Sequence, residues 1–457
     1  MMGSPMNEQP WLTDLLARGE VYEVGGSVRD RLWGCAVQAK DRDYLVRNIP
    51  IDDLQQILRQ HGDVNLVGKS FGVLKFTPRV NEGEDRATLD IALPRSEQST
   101  GIRHVDFAVD FDPDLPVERD LMRRDFTINA LAQDCRTGDI VDPSNGLDDI
   151  KSSTLRMVFP NTFREDPLRV LRGAQFMARF KLSLDPETRE AMGESIALIE
   201  SVSMERIAEE LTKLLELADK PSIGLRLLHE LGALKIVLPE LEDTVGVEQP
   251  GGFHAYNVFD HTMLTLDTAK KSLRVRWAAL LHDINKPQTK EVEGDRARFY
   301  GHDRLGARTA KRVLRRLRYP NDLADQVSTL VERHMFTTEG LTDKGVRRLI
   351  RRVGPELVYD LLALRRADTI AQGTGQSNDD VDDLEVRITD EINRKSPFGL
   401  KDLAVDGRDL MAEFDLRPGP HIGQILHALL EDVLDDPSQN DRDNLLRLAR
   451  NQLSDNG

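Results

Sequence analysis

The chain has 457 residues, of which 62 are Lys or Arg and 78 are Asp or Glu, a formal net charge of −16. This length supports about three domains and a sizeable core, and the 39% hydrophobic and 31% charged fractions exclude wholesale disorder. The acidic balance argues against diffuse binding along a polyanion but leaves open a local basic groove.

The two cysteines, Cys35 and Cys135, make neither a disulfide framework nor a zinc site and suit a reducing, cytoplasmic setting. The start MMGSPMNEQPW lacks a signal-type apolar core, and no run of about 18 apolar residues predicts a membrane span.

In chain order, VYEVGG reads as a strand entering a glycine turn, SVRDRLWG as the helix that follows, and DRDYLV as a second strand. Gly72–Thr77 and Ala87–Leu93 are further strands, and Arg95–Val117, rich in Ser, Gly, Asp and Pro, reads as a long loop. From about Ile150 the pattern turns helical: Leu168, Leu171, Phe176 and Phe180 recur near helical spacing, as do Ile207, Leu211, Leu214 and Leu215. The acidic stretch Asn378–Glu391 reads as a linker or a solvated helix face. The fold class is α+β, with a small mixed-sheet head (1–150) followed by an all-α neck (151–245), body (246–375) and tail (376–457).

Asp41 and Asp43 flank Arg42 in a candidate strand, so alternation points both carboxylates to one face. Such a pair suits Mg²⁺, which binds a few carboxylates and keeps positions for water and phosphate. D-x-D alone is common on solvated turns, but here Gly25–Gly26 and Arg29 stand just upstream, where a turn into a helix can approach an anion. RRDFTINA adds Arg123, Arg124, Asp125, Thr127 and Asn129, cations and hydrogen-bonding groups for a phosphorylated ribose; as a plain helix cap it reads equally well.

GGSVRD, DRD, RRDFTINA and EDPLRVLR, in this order, resemble the class II tRNA nucleotidyltransferase and bacterial poly(A) polymerase family. The resemblance implies nucleotide binding at Gly26, Arg29, Arg124, Asp125, Asp166, Arg169 and Arg172, and catalytic Mg²⁺ on Asp41 and Asp43, with Asp90 as a weaker third carboxylate. It implies that Asp166 and Arg169 read the incoming base; the same Asp166–Pro167 pair also looks like a helix cap. Gln175 stands where the family often has a third arginine, and Ser203–Leu215 resembles a neck helix with a structural role. The implied activity is CCA addition to tRNA from CTP and ATP, with a poly(A) polymerase or an A-only or CC-only enzyme as alternatives.

A second constellation is His261, then His282–Asp283, then His302, His334 and Asp368. It resembles the HD superfamily of metal-dependent phosphohydrolases, which implies a second divalent metal on His261, His282, Asp283 and Asp368 and a reading in which hydrolysis is the main activity. His302 and His334 would add a further metal or bind phosphate. Arg308, Lys311, Arg312, Arg315 and Arg316, with Arg304 and Arg318, crowd one helical segment and are read as contacts to the RNA backbone. Arg347, Arg348, Arg351 and Arg352 form a second such run, and the segment from Leu403 to Leu434 resembles a tRNA-anchoring tail.

Overall fold

Alternating apolar residues make Glu20–Val24 (β1) and Asp43–Arg47 (β2) the antiparallel centre of a sheet, with Val24 opposite Asp43. In the computed structural model, residues 9–455 are described apart from 39–41, 68–72, 80–86, 100–106, 252–254, 295, 339 and 395. The chain divides into two compact units, Met1–Val237 and Leu238–Gly457.

In the first unit, Gly62–Val67 (β3), Val73–Pro78 (β4), Leu89–Ala92 (β5), Ala132–Asp134 (β8) and Ile140–Val141 (β9) complete a seven-stranded sheet of order β3-β4-β5-β2-β1-β8-β9. β2 and β5 pair in parallel and the other neighbours antiparallel, so the sheet is mixed. One face packs on the helices Pro10–Leu16 and Ile51–His61, where Trp11 meets Tyr44 and Phe76 edge-on at 5.3 and 5.4 Å. Tyr22, Val24, Leu45 and Leu121 form a separate cluster of buried residues.

Arg95–Val117 is not the long loop its polar composition suggests. Arg95–Ser99 (β6) and Phe107–Phe111 (β7) pair antiparallel as a separate two-stranded ladder. β6 (RSEQS) has no apolar alternation to announce it, whereas β7 alternates Phe107, Val109 and Phe111, a strand signal that the polar residues on either side outweigh.

After the sheet the first unit is helical, chiefly Leu168–Phe180, Pro186–Glu194, Met204–Leu217 and Ser222–Glu230. The all-α expectation fails in two places: Thr154–Leu155 pairs in parallel with Ser183–Leu184, and in the second unit Lys290–Glu293 forms a hairpin with Arg296–Phe299. Asn378–Glu391 is largely helical (Asp379–Asn393), with Val381, Leu384 and Ile388 inward and its acids mostly outward. No helix among the described residues is long and apolar enough to cross a membrane.

Candidate functional site

The register of the sheet builds the first site. Asp43 opens β2, faces the last residue of β1, and stands in parallel register with Asp90 on β5. Gly25 follows β1 at φ +77°, and a Cβ there would lie 3.1 Å from the Arg124 guanidinium, so the turn requires glycine. Asp43 opens onto the pocket yet is ringed by protein; that crowding and the neighbouring Asp90 push its carboxyl up to about 6. Lys75 Nζ pairs with Asp90 at 2.6 Å. Asp41 lies outside the described residues and β2 begins only at Asp43, so the expected same-strand geometry of the pair rests on Asp43 alone.

The RRDFTINA segment is a turn and a short 3₁₀ helix rather than a helix start. Asp125 is buried; it accepts from Asn129 Nδ2 at 2.9 Å and from Arg172 Nε at 2.7 Å. Burial would raise its carboxyl, but Arg172, the Asn129 bond and Arg169 outweigh that and hold it at about 2. Arg29 is also buried, donating to Asn129 Oδ1 at 2.6 Å and to Asp30, with its guanidinium over Phe176 and Phe180 at 4.9 and 4.7 Å. It therefore props the pocket wall rather than reaching out from a helix turn.

Asp166 both caps and faces the pocket. Its Oδ1 accepts from Leu168 N at 3.1 Å, its carbonyl accepts from Arg169 N, and its Oδ2 pairs with Arg206 at 2.7 Å. Arg169 donates to Thr162 Oγ1 at 2.6 Å and to the Arg123 carbonyl at 3.1 Å. Gly25, Gly26, Arg29, Asp43, Arg124, Asp125, Asp166, Arg169 and Arg172 line one cavity of about 480 Å³. So do Arg206, Glu210 and Lys213, within the Ser203–Leu215 segment expected to be only structural. Their signal was a polar stripe at i, i+4 and i+7, flanked by buried Ile207, Leu211 and Leu214. Gln175 also lines the cavity, buried, its amide nitrogen without a hydrogen-bond partner among the described residues.

In the second unit the predicted ligands converge from separate helices. His261 Nε2 lies 3.0 Å from Asp368 Oδ1 and 3.2 Å from His282 Nε2; His282 Nε2 is 3.2 Å from Asp283 Oδ2. All four are buried. Burial works against a charged His282, but Asp283 beside it outweighs that and raises it. Burial, with His282 nearby, holds His334 down at about 4.

The arginine runs separate by role. On the His302–Arg316 helix, Arg304, Arg308, Arg312 and Arg315 are exposed at helical spacing, while Lys311 pairs with Asp325 and Arg316 with Glu240 at 2.8 Å. The second run is largely an internal clamp: buried Arg347 pairs with Glu391 at 3.0 Å, and Arg348 and Arg351 bind Glu431.

Residues 21–156 match the model of the poly A polymerase head domain, 181–244 that of a probable RNA and SrmB-binding site of polymerase A, and 303–449 that of tRNA nucleotidyltransferase domain 2. An A-adding tRNA nucleotidyltransferase of Deinococcus radiodurans is 36% identical over 340 residues, 70% of this chain and 76% of its own. A multifunctional CCA protein of Neisseria meningitidis serogroup A is 38% identical over 327 residues, 69% of this chain and 73% of its own. The CCA-adding enzyme of Bacillus stearothermophilus, solved with CTP, superposes with a TM-score of 0.71 at 22% identity over 100% of both chains, a likeness of fold.

Proposed function

The chain belongs to the family of tRNA nucleotidyltransferases and poly(A) polymerases, and on that premise we propose that it adds CCA to tRNA 3′ ends from CTP and ATP without a nucleic-acid template. One observation carries the reading: a single cationic cavity joins the Asp43 carboxylate to the Asp166–Arg169 pair.

The tRNA 3′-oxygen attacks the α-phosphorus, the bond to the β-phosphate oxygen breaks, and pyrophosphate leaves as the hydroxyl loses its proton. Arg124 and Arg172 supply positive charge to the nucleotide, and Arg124 beside Gly25 is placed to meet phosphate oxygens. Asp166 accepts from an exocyclic amine while Arg169 donates to a ring nitrogen. Cytosine and adenine offer that pattern on their pairing edges; uracil and guanine invert it. The donor set at Asp43 and Asp90 fits Mg²⁺: hard carboxylate oxygens on adjacent strands, with Asp43 raised by burial and by Asp90 beside it more than Arg124 and Lys75 lower it. Asp41 belongs to this proposal as the partner ligand. Mg²⁺ there would activate the hydroxyl and steady the triphosphate.

Four exposed arginines, Arg304, Arg308, Arg312 and Arg315, form the face we assign to the RNA backbone; Lys311 and Arg316 border it. The test is incubation with tRNA ending before C, after C and after CC, with CTP, ATP or both. Sequential C, C and A incorporation is expected. A-only addition to tRNA ending in CC would move the chain to the A-adding class, and long A tails would refute the proposal.

A second reading rests on the buried histidine–aspartate cluster. We infer that His261, His282, Asp283 and Asp368 hold a divalent metal that supports phosphoester hydrolysis; mixed imidazole and carboxylate donors favour Mn²⁺, Ni²⁺ or Zn²⁺ over Mg²⁺.

A further inference from the structure

We infer that Lys75 is a tethered cation that competes with the metal for Asp90 and so sets how tightly the carboxylates of the head hold it. This deepens the proposed transferase reading and rests on its metal assignment at Asp43 and Asp90.

The argument starts from one row of the sheet. Lys75 on β4 is the register partner of Asp90 on β5, and Asp90 is the register partner of Asp43 on β2. Register partners on adjacent strands point to the same face. Their chain neighbours Leu74, Phe76, Leu89, Ile91 and Tyr44 turn the other way, into the core with Trp11, Leu54 and Leu58. The row therefore runs ammonium, carboxylate, carboxylate along the face away from that core. Beyond Lys75 it continues to Asn65, and beyond Asp43 to Val24, neither of which carries a charge. Asp90 is thus the acid that the row gives Lys75, and it stands between the lysine and Asp43.

The contact occupies both oxygens of Asp90. Lys75 Nζ lies 2.6 Å from Oδ1 and 2.8 Å from Oδ2. A divalent ion shared with Asp43 needs one of those oxygens. It must take that oxygen beside a positive charge already seated there, and like charges at such range oppose each other.

As a support for the fold the pair is weak. The two side chains are 43% and 36% exposed, so water screens the bridge and it contributes little to stability. The same exposure lets the ammonium swing aside on its flexible stem. What the lysine changes is the affinity of the two carboxylates for another cation. Two unit charges about 4 Å apart shift an equilibrium by roughly fivefold even in bulk water, and a divalent ion feels twice that repulsion. Lys75 therefore keeps the carboxylate row from holding metal tightly on its own, and makes tight binding depend on the negative charge that nucleotide phosphates add.

The experiment is a Mn²⁺ titration of the full chain without nucleotide, with free Mn²⁺ read by electron paramagnetic resonance. Asp43→Asn removes the site in the head and supplies the background from the rest of the chain. Lys75→Met is expected to bind the Mn²⁺ of the head about fivefold more tightly than wild type, or better. Lys75→Arg, which keeps the charge, is expected to bind it as wild type does. The Mg²⁺ concentration that half-saturates C addition to shortened tRNA should fall in Lys75→Met by the same factor. Thermal unfolding should hardly move, and Lys75→Gln replaces Lys75→Met if that variant does not fold. Mn²⁺ affinity unchanged or weaker in the folded variant would overturn the competition and leave a merely structural cross-strand pair. Mn²⁺ binding by wild type no different from Asp43→Asn would overturn the metal assignment itself, and the competition with it.

Discussion

Arg206 is expected to govern nucleotide choice without touching the reacting atoms. Asp166 is held at both oxygens, Oδ1 by Leu168 N–H and Oδ2 by Arg206 at 2.7 Å. Arg206→Ala removes the second tether, and the carboxylate can then swing about its remaining bond. The side chains of the pair are 41% and 20% exposed, so solvent screening leaves the bridge worth less than about 1 kcal/mol of stability. Catalysis responds more. A hydrogen bond to a charged group contributes about 1.5–3 kcal/mol, and losing half of it in the transition state lowers kcat/KM by roughly three- to tenfold. Arg206→Lys, a point charge without the planar fork, should recover only part of the loss. The assay is single-turnover addition of C and of A to shortened tRNA, with misincorporation of U and G counted beside it. Discrimination should fall with rate in Arg206→Ala while the thermal midpoint hardly moves. If Arg206→Ala kept both rate and discrimination while Asp166→Ala lost them, the tether would be irrelevant to base reading.

Other outcomes follow from separate features. Asp125, at about 2 against 3.8 unfolded, contributes about 2 kcal/mol that is present above pH 4 and lost as pH falls toward 2. Asp125→Asn should therefore be less stable than wild type at pH 7 by that amount in denaturant titration, with the gap closing in acid. Arg347 and Glu391 are a buried pair, their side chains 8% and 5% exposed, so Arg347→Ala should destabilise the second unit by about 3–5 kcal/mol in calorimetry. Arg308→Ala/Arg312→Ala should weaken tRNA binding and flatten its log–log salt dependence by roughly one unit per lost contact. Lys311→Ala, whose charge Asp325 already opposes, should change it less. Gly25→Ala forces a side chain to φ +77° and toward Arg124, a strain of about 1–3 kcal/mol that should show first as lost nucleotide affinity.

The sequence by itself determined the local chemistry. Periodicity located β1, β2 and the Leu168–Phe180 and Met204–Leu217 helices, because an amphipathic element writes its buried face into the chain. Motif order marked Asp43, Asp125, Asp166 and the histidine set as chemistry-bearing before any fold was available. Short, mostly polar strands such as β6 and those of the Lys290–Phe299 hairpin leave little such trace, and the alternation of Phe107, Val109 and Phe111 in β7 is outweighed by its polar flanks.

Tertiary structure decided partnership. Parallel register alone set Asp90 beside Asp43, and only packing of one helix on another brought Arg206 to Asp166. Charge runs show the limit most plainly. The two arginine clusters look alike in sequence, yet one exposes Arg304, Arg308, Arg312 and Arg315 while the other spends Arg347, Arg348 and Arg351 on acids more than 40 residues away. The acidic net charge is likewise a sum that says nothing of where cations stay unopposed. A sequence fixes which groups a chain carries, but distance and burial set what each group is worth, and both arise only when remote segments meet.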